Sequence, residues 1–303
     1  MQAGMPDHSR IFEVDNAVGT KVDFQGRTEM RTEVIVTTYN QPEWLRHCLH
    51  AISCQVVQDF DICIADDGSG AETQTVIEEA RGRMNGRLRH LWHEDRGFRK
   101  TIILNRAIAT STADYLVFLD GDCLPRRDWL GGHVREARPN SYLTGGVIRL
   151  NHEVSHRIQA VDIASGACFD PRWLAGNGMT VAFSQRLKMA DYGLRLGRFL
   201  DRWSPVRTYW NGGHASAWRS DLLRVNGFDE SMVYGSEDKE AGLRLSHRGI
   251  RGRHVRYSAV LLHLDHARGY ATKDGKAANR LILNATRATK RTWTEFGIER
   301  RAA

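Results

Sequence analysis

Over the first half of the chain, short apolar runs that end in polar residues alternate with stretches of helical periodicity, and that alternation predicts the architecture. Glu33 to Tyr39 carries Val34, Ile35 and Val36 and reads as a first buried strand. Pro42, just after Asn40, marks a helix start, and Leu45, Cys48, Leu49 and Ile52 then recur at helical spacing. Phe60 to Ala65 predicts a second strand, Thr73 to Met84 a helix, and Arg89 to Trp92 a short third strand. Ile103, Leu104, Ala107 and Ile108 form the stripe of the next helix. Tyr115 to Leu119 is apolar at every position, which suits a strand covered on both faces. After it, Cys123-Leu124-Pro125 bends the chain away, residues 128 to 138 look helical, and Ser141 to Leu150 reads as one further strand. Strand and helix alternating from 33 to 150 argue for an α/β fold: a doubly wound, mostly parallel sheet with helices on both faces.

Residues 151 to about 208 break that rhythm. Leu187, Ala190, Leu194, Leu196, Phe199, Leu200 and Trp203 are set among Arg186, Lys188, Arg195, Arg198 and Arg202, as in a basic amphipathic helix. Such a helix packs on its own domain or lies on an anionic membrane surface. Ala215 to Trp218 predicts a short strand, Ser220 to Leu223 begins a helix closed by Asn226-Gly227-Phe228-Asp229, and Glu237-Asp238 opens another that stops at His247-Arg248-Gly249. Residues 252 to 262 read as a last strand, and a basic helix runs from Lys273 to Ala303. The organisation expected is a polar tail over 1–30, one domain over 31–270 in two halves meeting near 150, and a helical tail over 271–303.

The candidate chemistry sits where strands end. Asp120 and Asp122 close the apolar run at the carboxyl end of its strand, where open α/β sheets place their ligand crevice. Two hard oxygen donors there suit Mg²⁺ or Mn²⁺ bridging to a diphosphate, and Asp-Gly is equally a turn signal. Asp66-Asp67-Gly68-Ser69 brings a second pair of acids to the same sheet edge. Arg96-Gly97-Phe98-Arg99-Lys100 precedes a helix N-terminus, an arrangement that suits phosphate and also describes an exposed basic turn. Glu237 and Asp238 either serve a helix dipole or, about 100° apart on the first turn, hold a hydroxyl and reach a reaction centre. His263 or His266 completes a metal's ligands if the last strand runs beside the one carrying Asp120 and Asp122. Trp210 stacks on a sugar ring or packs in the core.

Composition narrows the partners. The 303 residues carry a net charge of +7, which favours a phosphate-bearing partner such as a nucleotide or an anionic membrane. No nucleic-acid-binding module is recognisable, so nucleic acid is set aside. The five cysteines lack metal-ligand spacing and read as reduced, packed thiols. No uninterrupted apolar run approaches a membrane span and the N-terminus lacks a hydrophobic signal core, so a cytoplasmic protein is expected, on the inner face of the cell membrane if the basic helix docks there.

Taken together, these residues resemble an inverting family 2 glycosyltransferase of the GT-A fold over residues 31 to 270. Val34 to Asn40 is similar to the family's opening strand and its Thr-Tyr-Asn turn, which implies donor contacts from Thr38 and Tyr39. Asp66-Asp67-Gly68-Ser69 is similar to the segment that holds the nucleoside, Gly97 and Asn105 to a family glycine and helix asparagine, and Asp120-Gly121-Asp122 to the metal-binding Asp-x-Asp. Asn226 to Asp229, followed by Glu237-Asp238 and Leu245, resembles the carboxyl-terminal block of β-1,4-galactosyltransferases and chondroitin-type polymerases. The resemblance implies a UDP-sugar donor, Mn²⁺ or Mg²⁺ on Asp120, Asp122 and His263 before His266, and a glycan or glycolipid acceptor. It further implies Asp66 at the base or ribose, Arg96 and Lys100 at the phosphates, Asp238 as general base and Glu237 positioning the acceptor. Thr37 stands where the family usually has proline, and the Gln-x-x-Arg-Trp of processive synthases is absent, which favours addition of one or a few sugars. Two rivals are a nucleotidyltransferase and a noncatalytic binder of sugar nucleotides or membrane surfaces.

Overall fold

A computed structural model describes residues 30–84, 87–190, 193–267 and 272–299. The expected polar tail over 1–29 lies outside the described residues. In chain order the elements are β1 (Thr32–Thr38), α1 (Pro42–Ser53), β2 (Asp61–Asp66), α2 (Ala71–Arg83), β3 (Leu88–Trp92), α3 (Lys100–Thr110) and β4 (Tyr115–Asp120). There follow β5 (Cys123–Pro125), α4 (Trp129–Glu136), β6 (Ser141–Thr144), β7 (Val147–Arg149), α5 (His152–Arg157), α6 (Ala160–Ser165), α7 (Pro171–Gly176), α8 (Phe183–Met189) and α9 (Gly193–Arg202). The last are β8 (His214–Trp218), α10 (Arg219–Arg224), α11 (Glu237–His247), β9 (Arg251–His254), β10 (Leu261–His263) and α12 (Lys273–Thr289).

The main sheet has seven strands in the order β3-β2-β1-β4-β8-β6-β9. Only β8 runs against its neighbours, so the sheet is mostly parallel, as the alternating pattern predicts. Alternate side chains of each strand feed opposite layers. Val34, Val36, Ile62, Ile64, Val117 and Leu119 pack under α1, α2 and α4. Ile35, Cys63, Ala65, Leu116 and Phe118 pack under α3, α10 and α11. Trp210 joins this second layer, with no exposed surface and ring contacts to Phe118 and Phe228, so it is a core residue and no sugar platform.

A smaller sheet, β5-β10-β7, departs from expectation. The run 141–150 is two strands: after Thr144 the chain breaks at Gly145-Gly146 and Val147 joins the small sheet. The run 252–262 likewise splits, β9 edging the main sheet and β10 lying between β5 and β7. Cys123 to Pro125 is therefore more than a bend: it pairs antiparallel with β10 and sets His263 opposite Cys123. Because β6 belongs to the large sheet beside β8 and β9, both halves of the chain share one sheet. The helix expected over 187–203 is two, α8 and α9, and α12 stops at Thr289 where Lys290 takes a left-handed conformation.

Two buried polar clamps fix the carboxyl-terminal elements. Arg244 and Glu240, both fully buried on α11, pair at 2.8 Å, and the Thr286 hydroxyl of α12 donates to Glu240 at 2.8 Å. Losing one partner of such a pair strands a buried charge, at a cost of about 3–5 kcal/mol. Asn105 of α3 grips the backbone of Phe228 from both sides, donating to its carbonyl at 2.8 Å and accepting from its N–H at 2.7 Å. Asn226 and Asp229 bind residues 294 to 299, with the Thr294 hydroxyl donating to Asp229 at 2.7 Å. The Asn-Gly-Phe-Asp segment is thus a joint between halves, with Phe228 also lining a cleft over the strand ends.

Candidate active site

One cleft of about 820 Å³ opens over the carboxyl ends of β1 and β4 and extends to the loops after β6 and β9. At one end, the turn after β1 is sewn to the loop after β2. Asn40 accepts from the Gly70 N–H at 2.9 Å while its own N–H donates to the Ser69 hydroxyl at 2.9 Å. Gly68 has φ +97° and lies against the Asp95 backbone, so any side chain there is strained and obstructed. Thr38, Tyr39 and Asp67 line the cleft at this end. The Thr38 hydroxyl is buried with no partner, a polar atom waiting for one. Asp67 is held by His93 at 2.7 Å and by the Arg99 N–H at 3.0 Å.

Two residues expected at this end are placed elsewhere. Asp66 is fully buried and caps its own loop, accepting from the Ser69 N–H at 2.8 Å with His90 at 3.1 Å. Strand alternation turns Asp66 and Asp67 apart, and only Asp67 reaches the cleft. Arg96 is largely exposed and pairs with Glu94 at 2.7 Å, outside the cleft lining.

At the centre, Asp120 and Asp122 both line the cleft but have separate partners. Asp120 accepts from Lys100 at 2.6 Å and from the Thr37 hydroxyl at 2.7 Å. Burial alone would lower the Lys100 pKa, but the Asp120 carboxylate outweighs it and holds the ammonium charged. Asp122 instead faces β10, with His266 at 2.7 Å and His263 at 3.7 Å. Its ligand oxygen and the two imidazoles lie within 4.8 Å of one another, the one such trio among the described residues. Burial pushes Asp122 up, yet the hydrogen bond from His266 and the nearness of His263 prevail and hold it at about 2. An ionised carboxylate beside two ring nitrogens fits a divalent cation. Asp120, expected as a ligand of that ion, is outside the trio because Lys100 claims it. His266 is closer to Asp122 than His263, which had seemed the better placed.

Glu237 and Asp238, on the first turn of α11, form the facing wall. Asp238 accepts from the Gly212 N–H at 3.2 Å and the Lys239 N–H at 2.7 Å, and Glu237 from the Gly235 N–H at 2.7 Å. Burial raises both carboxyls; the neighbouring Asp238 charge helps push Glu237 to about 7, against Lys100. Gly212-Gly213 runs between the walls: a Cβ on Gly213 would collide with the Asp120 carboxylate, and one on Gly212 would sit 3.3 Å from the Asp238 Cβ. No sequence signal beyond a paired glycine pointed to this spacer.

A family model described as glycosyl transferase family 2 matches residues 33–191, more than half of the chain. The chain belongs to glycosyl transferase family 2. A second model, described as the N-terminal domain of galactosyltransferase, matches residues 194–267, the stretch holding Glu237, Asp238, His263 and His266. This family 2 chain is 27% identical to a hyaluronan synthase of Pasteurella multocida, over 82% of its own length and 26% of the relative's. It is 22% identical to a chondroitin synthase of Escherichia coli, over 73% and 33% of the two lengths, so it spans only about a quarter to a third of these relatives. A mannosyltransferase of Pyrobaculum calidifontis, solved with GDP-Man and Mn²⁺, superposes with TM-score 0.58 at 20% identity, covering 86% of this chain and 64% of the other. S. aureus TarS 1-349, solved with UDP-GlcNAc, gives 0.55 at 16% identity, covering 84% and 65%. These likenesses show the GT-A fold. Among the described residues no helix is long and apolar enough to cross a membrane.

Proposed function

We propose that this chain transfers a sugar, with inversion, from a nucleotide-sugar to a hydroxyl of a glycan or glycolipid acceptor. The observation that carries this reading is the convergence on one cleft of the Asp122–His263–His266 trio and, across the Gly212-Gly213 spacer, the Glu237-Asp238 pair. Thr38, Tyr39 and Asp67 hold the nucleoside, and Lys100, locked to Asp120, presents positive charge toward the donor phosphates. Asp122, His263 and His266 would hold the metal; two imidazoles favour Mn²⁺ over Mg²⁺, which prefers oxygen ligands. What a divalent cation supplies when bound there is neutralisation of the charge gathering on the leaving diphosphate.

Asp238 takes the proton from the acceptor hydroxyl as that oxygen attacks the anomeric carbon. Its two backbone hydrogen bonds hold the carboxylate, and its place across Gly212-Gly213 from Asp120 supports attack from the far face and hence inversion. Glu237 orients the acceptor through its own carboxyl. UDP is the nucleotide the family resemblance favours, and TarS and the mannosyltransferase, solved with UDP-GlcNAc and GDP-Man, frame the choice. A screen of nucleotide-sugars with Mn²⁺ tests the reading: release of a nucleoside diphosphate and a product of inverted anomeric configuration are expected. Release of pyrophosphate would instead make the chain a nucleotidyltransferase, and binding with no turnover on any acceptor a noncatalytic binder.

A membrane surface completes the proposed partners. Phe183, Phe199 and Trp203 are exposed at 76%, 57% and 70%, with Leu187, Leu196 and Val206 also bare along α8, α9 and the turn after them. Arg202 is exposed beside them, while Arg198 is drawn inward to Glu136. This strip suits peripheral docking on an anionic surface such as the inner face of the cell membrane. Co-sedimentation with phosphatidylglycerol vesicles and none with phosphatidylcholine is the expected result, weakened in Trp203→Ala.

A further inference from the structure

Where the cleft runs over the ends of β6 and β9, its lining includes Lys188, Arg207, His254 and Arg256. In sheet order this end belongs to β6 and β9, and β6 stands two strands from β4, which carries Asp120. At the usual spacing that is roughly 10 Å. Lys188 and Arg256 converge there: the point where a Gly146 Cβ would sit is 3.7 Å from Lys188 Nζ and 3.6 Å from Arg256 Nε.

Among the described residues, no carboxylate pairs with Arg149, Lys188, Arg207 or Arg256, and Arg256 Nε is buried without a hydrogen bond. The nearby acids are engaged: Glu136 by Arg198 and Arg253, and Asp201 by the Ser258 hydroxyl at 2.5 Å and the Tyr257 N–H at 2.9 Å. The Asp201 bonds also fix the loop that carries Arg256. Burial and then the Arg256 charge both lower the Lys188 pKa, the mark of like charges held together. Buried donors left unpaired are costly, and this cost is relieved by an anion placed between them.

We propose that this end of the cleft is an acceptor subsite for an oxyanion, a carboxylate or phosphate carried on the sugar unit next to the one that receives the new bond. The point over Gly146 stands two strands, roughly 10 Å, from the end of β4 where Lys100 and Asp122 would meet the donor diphosphate, so an anion held here is separate from that diphosphate. An oxyanion is shared by uronic acids and sugar phosphates, and the cations recognise it by charge-assisted hydrogen bonds from Arg256 and Lys188. Gly146 leaves the floor between them open; a side chain there meets only ordinary contacts.

The acceptor role rests on the transferase reading, whereas anion binding needs no turnover. Binding of methyl β-glucuronide, glucose 6-phosphate and methyl β-glucoside is measured by NMR on the full chain, alone and with UDP or GDP plus Mn²⁺. One or both anionic probes are expected to bind about ten-fold tighter than the neutral glucoside. That preference should persist with nucleotide bound and disappear in the Lys188→Gln/Arg256→Gln double variant. Which anion binds tells carboxylate from phosphate. Gly146→Asp supplies an internal anion, so it should abolish probe binding and raise the melting temperature, whereas Gly146→Ser should do neither. No preference for anions, displacement by the nucleotides, or an unchanged preference in a folded variant overturns the subsite. Failure of transfer with every donor would remove the transferase reading and leave these binding results standing.

Discussion

On the donor wall each acid already has a partner: Asp120 lies 2.6 Å from Lys100, Asp67 2.7 Å from His93 and Asp122 2.7 Å from His266. Across the cleft, Glu237 and Asp238 stand side by side with raised pKa values, and over Gly146 Lys188 and Arg256 converge without an acid. The acids of the donor wall are thus paired before any substrate binds. On the acceptor wall like charges are crowded, and in the proposed reading substrate relieves them: a hydroxyl proton for the carboxylates, an oxyanion for the cations. Preorganisation serves the donor, which must be held still; a raised carboxyl pKa serves the acceptor, whose proton must be taken.

The sharpest break between the walls comes from Asp238→Asn. Turnover is expected to fall about a thousand-fold, the scale of a lost general base, with the donor Kd within about two-fold of wild type. Asp122→Ala attacks the other wall, and calorimetry should show Mn²⁺-dependent donor affinity reduced by about 100-fold, or about 2.8 kcal/mol. Gly213→Ala presses on the boundary. Its methyl meets the Asp120 carboxylate, so denaturant unfolding should report a loss of about 1–3 kcal/mol, more than Gly212→Ala, whose nearest neighbour is the Asp238 Cβ at 3.3 Å.

The smallest effect is in pH. A base must be ionised, so turnover should rise with pH along a limb displaced above the usual carboxylate range, because burial raises the Asp238 pKa. Removing the neighbouring acid in Glu237→Gln should move that limb to lower pH by less than about one unit. Stability runs the other way. Because folding raises the Glu237 pKa from 4.5 to about 7, its contribution is full below 4.5 and is lost as pH rises through 7, a slope that Glu237→Gln should flatten.

The two walls also differ in how much of them the sequence shows. The donor wall is built from consecutive strand, loop and helix units, so the apolar runs ending in Asp66-Asp67 and Asp120-Gly121-Asp122 place their acids at one sheet edge by local pattern alone. Even there, which of two adjacent acids faces the cleft is decided by the pleat and the loop, and Asp67 rather than Asp66 has that position. The acceptor wall and the Asp122 trio are assembled from distant segments. Two apparent single strands, 141–150 and 252–262, each split between sheets, and the resulting β5–β10 pairing is what carries His263 and His266 to Asp122. Periodicity within a run does not reveal such a switch. Nor does it reveal that Lys100 takes Asp120 away from the trio, or that Lys188 and Arg256, far apart in the chain, meet over Gly146.

The central claim is that one wall grips the donor through Asp122, His263 and His266 while the other removes the proton through Asp238. Donor titrations of wild type, Asp122→Ala and Asp238→Asn by calorimetry, each with and without Mn²⁺, test it directly. The Asp238→Asn curve should overlay wild type, and Asp122→Ala should lose the part of the binding that Mn²⁺ adds. Equal loss of donor affinity in both variants, or a wild-type curve indifferent to Mn²⁺, would contradict the account.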